Sequence, residues 1–223
     1  MILRNKIWIN EGYLTLEEVK QIHDVANTMP WDAGRTGGGA GDSDPDAPPE
    51  MEHGLNLDIR DSQVKWLAGD KVLPPKLNQK IMDGMYQASE ESDWYFDISY
   101  FESFQYTLYQ GTKQQRGFYT WHTDHGGETY DDGMYRKLSM TIQLSNPDDY
   151  NGGHFQYIDH ENEFNQMGKK PVCEDNMIRT VPFSGKTIGT MIVFPSFLYH
   201  QVCPVISGTR TSLVGWACGK PFA

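Results

Sequence analysis

From residue 98 onward the chain is a succession of short β-type runs, and this feature limits its fold more than any other. The runs are FESFQYTLY, FYTWHTD, KLSMTIQLS, GGHFQYI, TMIVFP, LYHQVCPV and TRTSLVGWA, most of them separated by turn residues. They are rich in aromatic and β-branched side chains, which suit a pleated, half-buried surface. Many short strands joined by glycine and proline turns predict a sandwich or a barrel.

The earlier half reads differently. Residues 2–9 (ILRNKIWI) predict a strand. Thr15-Leu-Glu-Glu is a capping box, with Glu18 three residues after the cap, and it opens a helix with Leu16, Val19, Ile22, His23 and Ala26 at helical spacing. Pro30 ends it. Residues 55–67 predict one or two short strands, and residues 74–91 a second helix with Leu77, Ile81, Met85 and Ala88 on one face. Helices that precede the strands are expected to pack on the outside of one sheet. The fold class is therefore mainly β with flanking helices, an α+β arrangement. Residues 1–223 read as a single domain, with 1–97 as a helical and strand extension and 98–218 as the core. Residues 34–50 (GRTGGGAGDSDPDAPPE) show no periodicity and are expected to form a mobile loop, either a lid or an inert insertion. Residues 159–187 are expected to form a long polar connection that could contact substrate.

Charge and cysteines exclude several classes. Thirty acidic residues against 19 basic ones give a net charge of -11. That opposes binding to phosphate backbones and suits either a basic peptide partner or plain solubility. Cys173, Cys203 and Cys218 form no CxxC, which argues against a zinc ribbon or a thioredoxin motif and fits a reducing cytoplasm. The first residues are not expected to form a signal peptide, and no apolar run in the sequence is long enough to span a membrane.

His122-Thr123-Asp124 is an H-x-D at the end of an aromatic run. Period-two alternation puts one imidazole and one carboxylate on the same face. H-x-D alone is a weak signal, but His200 lies in a later β-like run, FLYHQV. Two histidines and one carboxylate form the facial triad of non-haem Fe(II) oxygenases, which leaves metal positions open for cosubstrate and dioxygen. Arg210 follows His200 across the turn candidate Pro204-Val205-Ile206-Ser207-Gly208. A hairpin centred near Val205 would bring residues 200 and 210 opposite each other and hold a guanidinium in the metal's cavity. A buried Arg needs an anion, and a dicarboxylic acid chelating the metal at its other end would supply one. Tyr119 and Trp121 are expected to share the face opposite His122, packed in the core. His125 is expected to point away from the metal. His154 and His160 carry no assignment.

As an ordered set, these pieces resemble a known family. Tyr109, Tyr119-Thr-Trp-His122-Thr-Asp124, Arg136-Lys-Leu-Ser-Met-Thr-Ile-Gln-Leu-Ser, Gly152-Gly153, Val193-Phe194-Pro195-Ser196, His200 and Gly208-Thr209-Arg210-Thr211-Ser212 are similar to the prolyl-hydroxylase branch of the 2-oxoglutarate oxygenases, especially the bacterial and phage PKHD-type hydroxylases. The similarity spans roughly residues 100–218. It implies a double-stranded β-helix, or jelly roll, in the cytoplasm of a bacterium or its phage-infected host. It implies Fe(II) on His122, Asp124 and His200, with Arg210 on the C5 carboxylate of 2-oxoglutarate. Tyr109 matches a family tyrosine beside the cosubstrate, although a core tyrosine is the alternative. Gln143 stands where some relatives carry a tyrosine that bonds the C5 carboxylate, and its amide could still donate a hydrogen bond. Ser212 points the same way as Arg210 and either supports that carboxylate or is an ordinary strand serine.

The implied reaction is hydroxylation of a prolyl residue in a peptide or protein, consuming O2 and releasing succinate and CO2, with ascorbate as a supporting reductant. Two rivals remain open: oxidation of a small metabolite or nucleic-acid base at the same centre, and a cupin-like metal-binding module without turnover. Against nucleic acid stand the charge and Trp216, which occupies the place where base-demethylating relatives carry a second Arg. A mere metal module would not need Arg210. The sequence does not define substrate identity, regiochemistry or oligomeric state.

Overall fold

The computed structural model describes residues 5–36, 55–67, 73–125, 129–159 and 174–222. Thr15 caps the first helix, α1 (Leu16–Ala26): its side chain accepts from the Glu18 amide while the Glu18 carboxylate accepts from the Thr15 amide. This reciprocal pair satisfies two amides that have no partner within the helix. The second helix, α2 (Pro75–Glu91), starts with proline at its first position, where a missing N–H costs nothing. Both helices match their expected spans.

The strands among the described residues are β1 (Trp8–Asn10), β2 (Asp32–Ala33), β3 (Arg60–Asp61), β4 (Gln63–Leu67), β5 (Tyr100–Phe101), β6 (Phe104–Gly111), β7 (Phe118–His122), β8 (Tyr135–Gln143), β9 (Tyr150–Gly152), β10 (Phe155–Ile158), β11 (Ile178–Thr180), β12 (Met191–Pro195), β13 (His200–Val202) and β14 (Val205–Gly219). All their pairings are antiparallel. The large sheet runs β1-β12-β8-β14-β6-β4-β2, with β5 and β9 also paired to β14, and the small sheet runs β11-β10-β13-β7-β3. The expected jelly-roll class is therefore observed. The early strands are woven into both sheets: β1 pairs with β12, β4 with β6 and β3 with β7.

Alternation along the large sheet sorts its side chains into two compartments. Leu138, Met140 and Ile142 of β8, Met191 and Val193 of β12, and Leu213 and Ala217 of β14 face the helices, where they pack with Val19, Ile22, Ile81 and Met85. Ile192 and Phe194 face the other way and meet Phe155 and Val202 of the small sheet. The helices thus cover the outer face of the large sheet, as expected, and the space between the sheets is left for a site. No helix among the described residues is long and apolar enough to cross a membrane.

Two expectations need correction. The hairpin around Val205 does not form: β13 pairs with β7 and β10 in the small sheet, whereas β14 begins at Val205 in the large sheet. Pro204 has no N–H to give a ladder. Its carbonyl accepts from Gly153, and the flanking amides of Cys203 and Val205 go to His154 and Gly117, so the chain turns a corner between sheets. The second correction lies in β7. His200 is opposite His122 but Val202 is opposite Tyr119, so Thr120 and Trp121 of β7 stand against the single residue Gln201 of β13. This bulge rotates Tyr119 onto the face of His122. Trp121 keeps its expected place on the other side, packed with Ile158 and Tyr199. Residues 37–54 and 160–173, which hold most of the glycine-rich segment and much of the polar connection, lie outside the described residues.

Candidate metal and anion site

The strand pairing of β7 with β13 places His122 directly opposite His200. Each Nδ1 donates to a carbonyl two residues back, His122 to Thr120 at 2.7 Å and His200 to Leu198 at 2.9 Å. A carbonyl can only accept, so these bonds fix the proton on Nδ1 and leave a lone pair on each Nε2. Asp124 lies just beyond β7, where its amide donates to the Ser196 carbonyl at 2.8 Å. Its two carboxylate oxygens face the two imidazoles, at 3.5 Å from His122 Nε2 and 3.7 Å from His200 Nε2. The three donors all lie within 4.8 Å of one another. Metal–ligand bonds of about 2.0–2.2 Å meeting near right angles put neighbouring donors roughly 3 Å apart. The pocket therefore has the donor chemistry and nearly the spacing of a facial metal site.

The electrostatics agree. Burial pushes the His200 imidazole down to about 4, helped by the neighbouring His122, so it is neutral at neutral pH. Burial alone would raise the Asp124 carboxyl, but His200, His122 and Arg136 together hold it well below the usual carboxylate range. A neutral imidazole at His200 and an ionised carboxylate at Asp124 suit a divalent cation, since a ligand must shed its proton to bind.

Around this centre lies a cavity between the sheets. Arg210, Ser212, Val214 and Trp216 line it from β14 at alternate positions, as one strand face must. Arg210 is only 2% exposed. Its Nη2 donates to Gln143 Oε1 at 2.9 Å, while its Nε and Nη1 find no hydrogen-bond partner among the described residues. It lies beside the Tyr109 ring, at 5.5 Å from the centroid. Arg210, Tyr109 and Ser212 thus share the cavity with the three metal-type donors. Gln143 sits behind the guanidinium, its carbonyl oxygen already used. His125 stays out of the cluster, edge-on to Tyr135 at 6.3 Å.

Several residues stand in the cavity that the sequence did not place there. Tyr119, brought round by the bulge, stacks on His122 with ring centroids 3.5 Å apart. Arg60 of β3 lies over the same phenol at 4.7 Å, giving a guanidinium–phenol–imidazole stack. Arg60 bonds Ser62, the Arg35 carbonyl and Gln105 Oε1, and so ties the edge of the small sheet to the large one. Trp216, another lining residue, lies under the Arg136 guanidinium at 3.8 Å, and Arg136 is gripped by both oxygens of Glu102 at 2.7 Å. Only the bulge could have revealed Tyr119, and a bulge has no reliable signature in one sequence.

Comparison with known proteins follows the same lines. A PKHD-type hydroxylase of Shewanella baltica (strain OS155 / ATCC BAA-1091) is 28% identical over 141 residues, covering 63% of this chain and 53% of that one. The chain thus spans about half the length of the curated relatives it matches. The fold is shared with a Pseudomonas putida prolyl-4-hydroxylase (TM-score 0.61, 18% identity, 98% of this chain and 95% of that one). It is shared also with a Trichoplax adhaerens prolyl hydroxylase in complex with a hypoxia inducible factor peptide (TM-score 0.63, 16% identity, 96% and 84%). The family model for the 2OG-Fe(II) oxygenase superfamily matches residues 104–218, which contain the H-x-D, His200 and Arg210, and the chain belongs to that superfamily.

Proposed function

We propose that this chain is an Fe(II)- and 2-oxoglutarate-dependent dioxygenase that hydroxylates a prolyl residue of a peptide or protein. One observation carries the reading: a cluster of three metal-type donors and a buried guanidinium with two unpartnered N–H groups face the same cavity. His122, Asp124 and His200 hold the iron. Arg210 takes the far carboxylate of 2-oxoglutarate, with Ser212 and Tyr109 along its length. When bound, iron and 2-oxoglutarate supply the oxidising chemistry: O2 and 2-oxoglutarate give succinate and CO2, and one oxygen atom enters a substrate C–H bond.

This chain's residues do the positioning. The carbonyls of Thr120 and Leu198 orient the imidazoles, Phe194 and Phe155 shield His200, and the Arg60–Tyr119 stack holds His122 from the side. Excluding water strengthens every electrostatic contact inside such a site. The substrate enters past Trp216, which is 6.2 Å from Trp66, a residue 47% exposed. An aromatic wall of this kind suits a proline ring, and the PKHD-type and prolyl hydroxylase relatives support that choice. Residues 1–223 act as one oxygenase unit in this reading.

The test has two steps. Protein supplied with Fe(II), ascorbate and O2 should convert 2-oxoglutarate to succinate. Host-lysate proteins treated with the same mixture should gain roughly 16 Da on proline, one oxygen atom. Succinate without proline oxidation would move the substrate to another class; no succinate at all would refute the oxygenase reading.

A further inference from the structure

Beside Arg210, at the anion end of the cavity, stands a second donor that the family pattern does not point to. Tyr150 of β9 is 7% exposed, and its hydroxyl has no hydrogen-bond partner among the described residues. β9 pairs with β14 so that Tyr150 faces Gly208, which makes Arg210 its neighbour two residues along. Side chains as long as tyrosine and arginine reach across such a diagonal. The guanidinium does act on this phenol: burial raises the Tyr150 pKa, and Arg210 counters the rise by its charge and by polar contact.

The glycine pair that follows makes this juxtaposition possible. Gly153 has a φ of +60°, and a Cβ there would stand 2.9 Å from Arg210 Cδ and 3.3 Å from Tyr150 Cε2. A side chain at this position would wedge into the space the two residues share. Lys186 closes the far side, its Nζ bonded to the Gly152 carbonyl at 2.8 Å and lying 4.6 Å over the Tyr150 ring. Three unpartnered donors, Arg210 Nε, Arg210 Nη1 and Tyr150 Oη, are thus buried together with a second cation alongside. Such groups are costly unless a ligand completes them.

Gln143 orients the guanidinium. Its amide oxygen accepts from Arg210 Nη2 at 2.9 Å. That bond uses the amide oxygen and leaves the amide nitrogen as a further donor.

We infer that Tyr150 donates its phenolic hydrogen to the distal carboxylate of 2-oxoglutarate, while Arg210 holds the same carboxylate by charge. The inference rests on the proposed reading of Arg210 as the cosubstrate anchor. Tyr150 is a binding residue for the cosubstrate and takes no part in metal ligation.

The test is calorimetric titration of Mn(II)-loaded protein, which reads binding without turnover. Two probes are compared: 2-oxoglutarate, and oxalate, which chelates a metal but has no distal carboxylate. Tyr150→Phe should weaken 2-oxoglutarate by roughly tenfold or more, the scale of a hydrogen bond to a charged group. It should leave oxalate affinity and thermal unfolding unchanged. Parent-like 2-oxoglutarate binding by Tyr150→Phe would overturn the inference while leaving the Arg210 reading intact. Equal weakening of both probes would also overturn it, by reducing Tyr150 to a packing residue. Arg210→Ala is run beside it. If that variant binds 2-oxoglutarate like the parent, the reading of the site fails, and the role of Tyr150 fails with it.

Discussion

The two ends of the cavity are built from different sheets and are incomplete in opposite ways. At the metal end, the small sheet brings His122 and His200 together, and Asp124 faces both. Each imidazole already has its Nδ1 satisfied, so what remains is a set of lone pairs awaiting a cation. At the other end, the large sheet presents Arg210, whose spare N–H groups await an anion. Neither end tells much alone, because buried arginines and clustered histidines both occur for structural reasons. Facing each other across one cavity, they fit a single molecule that chelates a metal at one end and carries a carboxylate at the other.

The comparison breaks most sharply at the metal end. His122→Ala, Asp124→Ala and His200→Ala should each lower succinate production by at least about a hundredfold, since two protein ligands rarely retain a metal that three hold. Circular dichroism should show the fold retained. Near-parent turnover in any one of them would remove that residue from the ligand set.

Next in size is the anion end. Arg210→Ala should weaken 2-oxoglutarate by at least about tenfold while Fe(II) affinity stays near the parent's, and Arg210→Lys should fall between, because an ammonium keeps charge but loses the planar fork. Loss of iron binding as well would mean that Arg210 holds the fold together.

A smaller effect should come from Gly153→Ala. A side chain at positive φ costs roughly 1–3 kcal/mol, and this one also presses on Arg210. Urea unfolding should show the loss of stability, and 2-oxoglutarate binding should weaken more than metal binding. Equal damage to both ligands would show that the two ends are not separable.

What the sequence revealed follows from the range of each interaction. The capping box, the two helices and the run of short strands depend on neighbours in the chain, so spacing predicts them well. His122, Asp124, His200 and Arg210 could be chosen because their side-chain chemistry is distinctive. Their spatial relation could not: the expected hairpin fails because Pro204 turns the chain into the other sheet, and His200 and Arg210 share the cavity from opposite walls. Tyr119 was lost to strict alternation, which a single bulge defeats. Arg60 and Tyr150 look like ordinary strand residues until tertiary pairing sets one over Tyr119 and the other beside Arg210.

The smallest effect serves as the control. Thr15→Ala removes the cap of α1, on the outer side of the large sheet, and should cost about 1 kcal/mol of stability in urea unfolding. Affinities for metal and for 2-oxoglutarate should both be unchanged. A shift in either would tie the helical layer to the cavity and blur the contrast between its ends.

The central claim is that one molecule bridges the two ends, and linkage tests it most directly. The affinity for 2-oxoglutarate is measured under anaerobic conditions with and without Fe(II). If the keto acid chelates the metal while Arg210 holds its far carboxylate, Fe(II) must tighten 2-oxoglutarate binding, by at least about tenfold, and 2-oxoglutarate must tighten Fe(II) binding by the same factor. Identical 2-oxoglutarate affinity in the presence and absence of the metal would contradict the account, because the anion at Arg210 and the cation at His122, Asp124 and His200 would then belong to separate sites.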